Sequence, residues 1–287
     1  MSENNHFDRR DFLHSLLFGG LGVWMGGCYG ATSRSDVTGE EVDRPNLLLM
    51  VADDQCSDMF GFLNSYPFLE TPNMDRLAQD GVYCRNAFAT TSLCMPSRAT
   101  IMTGCYPHTH GLKTNMGKNA GNELNPDIPV FAEWLQKAGY ETAYIGKWHI
   151  DKRDASPKPG FDHWVSFEGQ GEFFDPKLNV NGEVVQETGH MTDVLTRYTT
   201  DWLNKPRAKP FCLILSHKAP HGDTTYGPYT PPERHRGKYK NETISPPPNY
   251  ADDLADKPQW LRRYVRTEQL TPGRQAMAKD MDLVPED

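Results

Sequence analysis

The sequence predicts an α/β chain built on a largely parallel central sheet. Three observations carry this prediction. Short, nearly uninterrupted apolar runs recur at residues 45–52, 140–145 and 211–215, as expected for strands covered on both faces. Between them lie segments with helical character at 73–80, 128–138 and 191–203, the first two stopped by Gly81 and Gly139. Polar clusters follow each apolar run directly, and the carboxyl ends of parallel strands are where open α/β sheets place their sites. At 287 residues and 37% hydrophobic content, the chain can bury one large core or two small ones.

The amino-terminal residues read as a separate unit. Residues 7–28, FDRRDFLHSLLFGGLGVWMGGC, place Arg9 and Arg10 before Phe12 and Leu13 and then a short, glycine-rich apolar run. That run falls short of the roughly 20 residues a membrane span needs, so 1–28 reads as an export signal similar to a twin-arginine leader. Cys28, after Met25, Gly26 and Gly27, resembles a bacterial lipobox that would lipidate it and anchor the chain; cleavage at another small residue is the alternative. Residues 29–43 are polar and read as a linker. The expected location is the periplasm or, through Cys28, a membrane surface.

The formal charge is −8, which argues against a nucleic-acid partner. An anionic substrate would have to be held by a local cluster of cations rather than by the field of the whole molecule. Cysteines stand at 28, 56, 84, 94, 105 and 212, with no C-x-x-C zinc spacing.

The first strand runs straight into Asp53 and Asp54. Adjacent carboxylates repel unless a cation or donors compensate, so a hard divalent ion, calcium or magnesium, is one reading. A strand-end turn with solvated aspartates is the other. Pro72 sets the start of the helix at 73–80. Residues 94–98 then read C-M-P-S-R, followed by a run able to form a helix. A nucleophile at that point would meet backbone N–H groups and the positive end of the helix dipole, and Arg98 adds a planar fork of donors matched to oxyanions. The alternative is a small buried cysteine beside a helix cap.

The strand at 140–145 leads into G-K-W-H, in which Lys147 supplies a point charge and His149 could face the same side of an extended segment. A solvated turn is the alternative. Residues 159–176, rich in glycine and aromatics, read as an ordered loop. The strand at 211–215 leads into S-H-K-A-P-H, with His217, Lys218 and His221 as candidates; histidine suits general-acid work because its pKa lies near 6.5. Residues 229–250 are proline-rich and read as a surface loop.

These segments together resemble the type I sulfatases. The match rests on C-x-P-S-R at 94–98, on T-P-N-x-D-R-L-A at 71–78, on G-V-x-C-R-N-A-F at 81–88, on G-C-Y-P-H-x-H-G at 104–111 and on G-K-W-H at 146–149, in the family's order. The stretches P-G-F-D-x-W and G-Q-G within 159–176 are similar to those of bacterial sulfatases that act on sulfated polysaccharides. The resemblance implies an alkaline-phosphatase-like sandwich. It implies that a maturing enzyme oxidises Cys94 to formylglycine, whose hydrated aldehyde attacks sulfur with one oxygen and expels sulfate with the other. Asp53 and Asp54, with the Cys94-derived group, would be metal ligands for calcium or magnesium. Arg98, Lys147 and His149 would contact the diol and the sulfate, and His221 would bind the ester and protonate the leaving oxygen, with His217 and Lys218 as second choices for substrate contact. The substrate would be a sulfated polysaccharide or glycosaminoglycan.

The resemblance fades near residue 253, so the expected organisation is a catalytic domain at 44–252 and a divergent tail at 253–287. The family's later Asp-Asn or Asp-His metal motif has no counterpart; Asp280 and Asp282 lack the strand and glycine context. The expectation is therefore the amino-terminal part of the fold with its carboxy-terminal part missing. Two alternatives stay open: a non-catalytic binder of sulfated glycans, and a phosphoester or phosphonate hydrolase of the same superfamily.

Overall fold

The structure, a computed structural model, describes residues 44–115, 124–150, 154–222, 230–246, 255–259 and 262. The expected leader and linker, Cys28, Asp280 and Asp282 lie outside the described residues. Strand β1 (Leu47–Asp53) is followed by helices α1 (Pro72–Asp80), α2 (Cys94–Thr103), α3 (Pro107–His110) and α4 (Phe131–Lys137). Strands β2 (Glu141–Gly146), β3 (His163–Ser166), β4 (Lys177–Val180) and β5 (Glu183–Gln186) come next, then α5 (Met191–Leu203) and β6 (Phe211–Pro220).

The six strands form one sheet in the order β1-β6-β2-β3-β4-β5. The pairs β1·β6, β6·β2 and β2·β3 are parallel, and β3·β4 and β4·β5 are antiparallel. Side chains alternate across the central strands, so each feeds two cores. Tyr144, Cys212 and Ile214 join Met95, Met102 and Trp164 on the side of α2 and α4. Ala143, Ile145, Leu213 and Leu215 join Val194, Leu195 and Trp202 on the side of α5. Burying each large side chain contributes about 1.5–3 kcal/mol, which is why the two faces need helices at all. The expected helices and central strands are present, and β6 runs five residues past the apolar stretch that announced it.

Two expectations are corrected. The run at 45–52 forms a strand, but it is not covered on both faces: Leu48 and Met50 are 46% and 53% exposed. Among the described residues β1 pairs only with β6 and so stands at the edge of the sheet. An apolar run reports what a strand can bury, not which neighbours reach it. The second correction concerns 159–176, where residues 163–166 form β3 rather than loop. Beyond it the antiparallel pair β4 and β5 extends the sheet.

Gly146 closes β2 with φ 121°, and a Cβ there would overlap the carbonyl oxygen of Ser216 on β6. The glycine of G-K-W-H thus lets two neighbouring strands end side by side while the chain turns.

Candidate active site

Because β1, β6 and β2 are parallel neighbours, their carboxyl ends share one edge. Asp53 is the last residue of β1, Lys147 follows the last residue of β2, and His221 follows the last residue of β6. Asp53 is buried, whereas Asp54 turns into the left-handed region at φ 63° and is exposed. The β1·β6 ladder is irregular here: Val51 pairs with Ser216, but Asp53 pairs with Pro220.

Helix α2 brings Cys94 to the same edge as its first residue. Its amino-terminal cap, Leu93, has no side-chain acceptor to offer. The chain compensates in two ways. Pro96 has no N–H to satisfy, and the Met95 N–H is accepted by Asn115 Oδ1 at 2.9 Å. Asn115→Ala is expected to cost about 1 kcal/mol, the usual effect of losing a cap acceptor, read as a lower denaturant midpoint at unchanged slope.

The side chains converge. One ligating atom from each of Asp53, Cys94 and His221 lies within 4.8 Å of the others. These three, with Asp54 and Arg98, border a cavity of about 560 Å³. Behind it sits a buried network. Lys147 Nζ donates to Asp53 Oδ2 and, at 2.5 Å, to Gln170 Oε1. Arg98 donates to the Lys147 carbonyl at 2.5 Å and to Ser216 Oγ at 2.6 Å, and its other terminal nitrogen stands 3.4 Å from Asp53. The Tyr144 hydroxyl also donates to the Lys147 carbonyl, at 2.5 Å. Arg98 therefore ties α2 to the end of β2 and to the middle of β6.

Electrostatics follow from this packing. Burial alone would raise the Asp53 carboxyl, but Arg98 and Lys147 outweigh it and hold the group below the usual carboxylate range. Burial pushes the Lys147 ammonium down, against the pull of Asp53. Burial likewise pushes His149 down to about 4, reinforced by Lys147 and Arg98. His221 goes the other way: its contact with Cys94 raises it above the ordinary histidine value. Nδ1 of His221 donates to the Gly222 carbonyl at 2.7 Å, which leaves Nε2, 3.7 Å from Asp54 Oδ2, to carry the exchangeable proton.

Of the residues singled out in the sequence, Asp53, Cys94, Arg98, Lys147 and His221 come together. Asp54 borders the cavity but stands outside the converging triad. His149 is buried, with Nδ1 lacking a hydrogen-bond partner among the described residues. Lys218 is turned away: its ammonium donates to the Gly171 carbonyl at 2.6 Å and lies 4.6 Å from the centre of the Phe173 ring. Burial lowers the His217 pKa, and no hydrogen bond among the described residues joins it to the cluster. Sequence reasoning missed Gln170, Tyr144 and Ser216. The signal for Gln170 was its flanking glycines, since Gly169 and Gly171 have φ 56° and 65° and a Cβ on Gly171 would overlap the Phe167 ring.

The residues present fit a divalent cation. Two carboxylates, Asp53 and Asp54, border one cavity together with Cys94 and His221. The thiol is a soft donor, but an oxygen in its place would complete a hard set suited to calcium or magnesium. All five described cysteines are free, so no disulfide constrains Cys94.

Comparison with known proteins agrees with this geometry. The family model described as Sulfatase matches residues 45–271. An N-acetylglucosamine-6-O-sulfatase of Bacteroides thetaiotaomicron is 37% identical over 218 residues, covering 75% of this chain and 36% of the relative. A sulfatase of Formosa agariphila is 30% identical over 265 residues, covering 83% and 50%. A solved structure in complex with its substrate D-glucosamine-2-N,6-O-disulfate superposes with a TM-score of 0.63 at 36% identity, covering 72% of this chain and 40% of that one. The chain thus spans between about a third and half of the length of these relatives. The mostly parallel sheet flanked by helices is the alkaline-phosphatase-like architecture of these neighbours, and the chain belongs to the sulfatase family.

Proposed function

We propose that this chain carries the nucleophile-bearing site of a sulfuric ester hydrolase that acts on a sulfated carbohydrate. The observation that supports it most is the meeting of Asp53, Cys94 and His221 within 4.8 Å at the carboxyl edge of the sheet. In this reading a maturing enzyme converts Cys94 to formylglycine, and Asp53 and Asp54, with that residue, hold calcium. The cation, when bound, would draw charge from the ester oxygens and favour the ionised nucleophile. Arg98 holds the G-K-W-H turn in place, and Lys147 sets the charge and orientation of the Asp53 carboxylate. The donors of the first turn of α2 face the position where negative charge develops. His221, protonated at Nε2, gives its proton to the leaving oxygen. Export through residues 1–28, with a lipid anchor at Cys28, belongs to the same reading. That one relative is an N-acetylglucosamine-6-O-sulfatase and another structure holds D-glucosamine-2-N,6-O-disulfate as its substrate favours an amino-sugar sulfate.

The test is hydrolysis of 4-nitrophenyl sulfate by protein from its native host, with and without calcium, alongside mass spectrometry of the Cys94 peptide. Formylglycine with calcium-dependent turnover is expected; turnover with unmodified cysteine would sink the mechanism. The pH profile adds a second check. A raised His221 pKa means that the proton is retained to higher pH, so kcat should fall as pH rises through a value above about 6.5. His221→Asn should remove that limb. The loss should be on the order of 10²–10⁴-fold for a sugar sulfate and far smaller for 4-nitrophenyl sulfate, whose leaving oxygen needs little protonation.

A further inference from the structure

The Lys147 ammonium is held from two sides: Asp53 Oδ2 accepts from it on one, and Gln170 Oε1, at 2.5 Å, on the other. Lys147 is fully buried, so both bonds form where water does not compete. Arg98 approaches the same carboxylate oxygen, Oδ2, at 3.4 Å. Both cations thus meet one oxygen of Asp53, and Oδ1 accepts no hydrogen bond among the described residues. Gln170 itself is exposed, so packing does not fix its side chain. The turn that carries it does. Gly169 and Gly171 both take positive φ, and the Gly171 N–H donates to the Glu168 carbonyl at 3.1 Å. The Gly171 carbonyl in turn accepts from the Lys218 ammonium at 2.6 Å. Lys218 is buried on β6 and lies 4.6 Å from the ring centre of Phe173, which is buried as well. An unbroken chain of contacts therefore runs from Lys218 through Gly171, Gln170 and Lys147 to Asp53.

We infer that Gln170 is a positioning residue that acts through Lys147: it braces the ammonium against Oδ2 of Asp53 and so leaves Oδ1 to a divalent cation, with Lys218 anchoring the turn. The inference rests on the sulfatase reading, in which Asp53 is a metal ligand. The physical argument is competition for one carboxylate. A buried ammonium has three N–H groups in need of acceptors, and with a single partner it can swing across both oxygens of that partner. A neutral acceptor on the far side satisfies a second N–H without adding charge, which holds the ammonium at one oxygen. The other oxygen then keeps its lone pairs for a metal. Contacts one shell removed from a metal ligand change affinity or activity by about 10–100-fold.

The experiment reads the full chain from its native host before any substrate is added. Calcium binding is followed by titration calorimetry, and the Lys147 ammonium by nuclear magnetic resonance. Gln170→Leu, at an exposed position, should weaken calcium binding about ten-fold or more and shift the Lys147 resonance, with the denaturant midpoint unmoved. Lys218→Met should shift the same resonance. The double variant should bind calcium no more weakly than Gln170→Leu alone, because both changes act along one path. With 4-nitrophenyl sulfate at limiting calcium, kcat of Gln170→Leu should fall about ten-fold at unchanged KM, and saturating calcium should restore it. A side chain that touched the substrate would not be rescued by the cation. Calcium affinity that Gln170→Leu leaves unmoved overturns the inference. So does a loss that saturating calcium does not correct, or no calcium binding by the unaltered chain. Turnover by the unaltered chain with unmoved affinity in Gln170→Leu sinks the brace alone. Weakened calcium binding in Gln170→Leu with no turnover by the unaltered chain sinks the hydrolase reading while the brace stands.

Discussion

Under the proposed mechanism, Cys94→Ala should lower sulfate release by about 10⁴-fold or more and leave the fold intact. The two halves of this result have separate causes. Cys94 is half-buried, and its polar influence is felt at His221, whose pKa its contact raises, and more weakly at Lys147, so alanine removes little packing and orphans no buried charge. Arg98, Lys147, Ser216 and Asp53 hold one another without it. The catalytic loss would come from the missing nucleophile. Cys94→Ser sharpens the test. A single hydroxyl can accept the sulfuryl group but has no second oxygen whose electrons expel it, so at most one sulfate ester per chain should accumulate. Steady turnover by either variant would remove Cys94 from the chemistry.

Asp53→Ala should be the most destabilising change at the site, by about 3–5 kcal/mol, because it strands a charge rather than merely deleting a bond. Lys147 is fully buried, and without Asp53 its ammonium keeps, among the described residues, the Gln170 side-chain oxygen alone, with Arg98 close enough to repel it. The sign with pH is fixed. Burial already lowers the Lys147 pKa below its unfolded value, and losing the carboxylate lowers it further. Between the folded and unfolded values the unfolded chain binds more protons, so the variant gains stability as pH rises through that window and loses it below. Adding Lys147→Met should recover much of the loss. Denaturation at pH 6 and pH 9 separates this account from one in which Asp53 only fills space, which predicts no pH dependence and no rescue.

Legibility in the sequence tracked the physical scale of each signal. β2, β6, α1 and α5 were visible because burial imposes long apolar runs or helical spacing. β3 was not, since four residues give too short a period to distinguish from an aromatic loop, and the β4–β5 hairpin was missed although Asn181-Gly182, both at positive φ, is a two-residue turn signal. Asp53 and Asp54 are equivalent as letters, yet one is buried against Lys147 and Arg98 and the other is turned outward at φ 63°. Lys147 and Lys218 are equally alike: both are buried, but one meets a carboxylate and the other a loop carbonyl. What separates these pairs is the partner, and a partner 45 or more residues away leaves no local trace.

The irregular ladder between β1 and β6 shows how such partners are brought into register. Continued regularly from Val51 opposite Ser216, the pairing would set Asp53 against Lys218 and leave His221 three residues, or about 10 Å, further along. Instead β6 uses four residues where β1 uses two, Pro220 lies opposite Asp53, and His221 arrives one residue later. The distance between the Asp53 carboxylate and the His221 imidazole is thus stored as a difference in count between two strands. Residues 217–219 are a measured length of chain before they are individual side chains. Conservative substitutions within them should be far less harmful than a one-residue deletion, which would shorten the chain and also exchange the faces of everything beyond it.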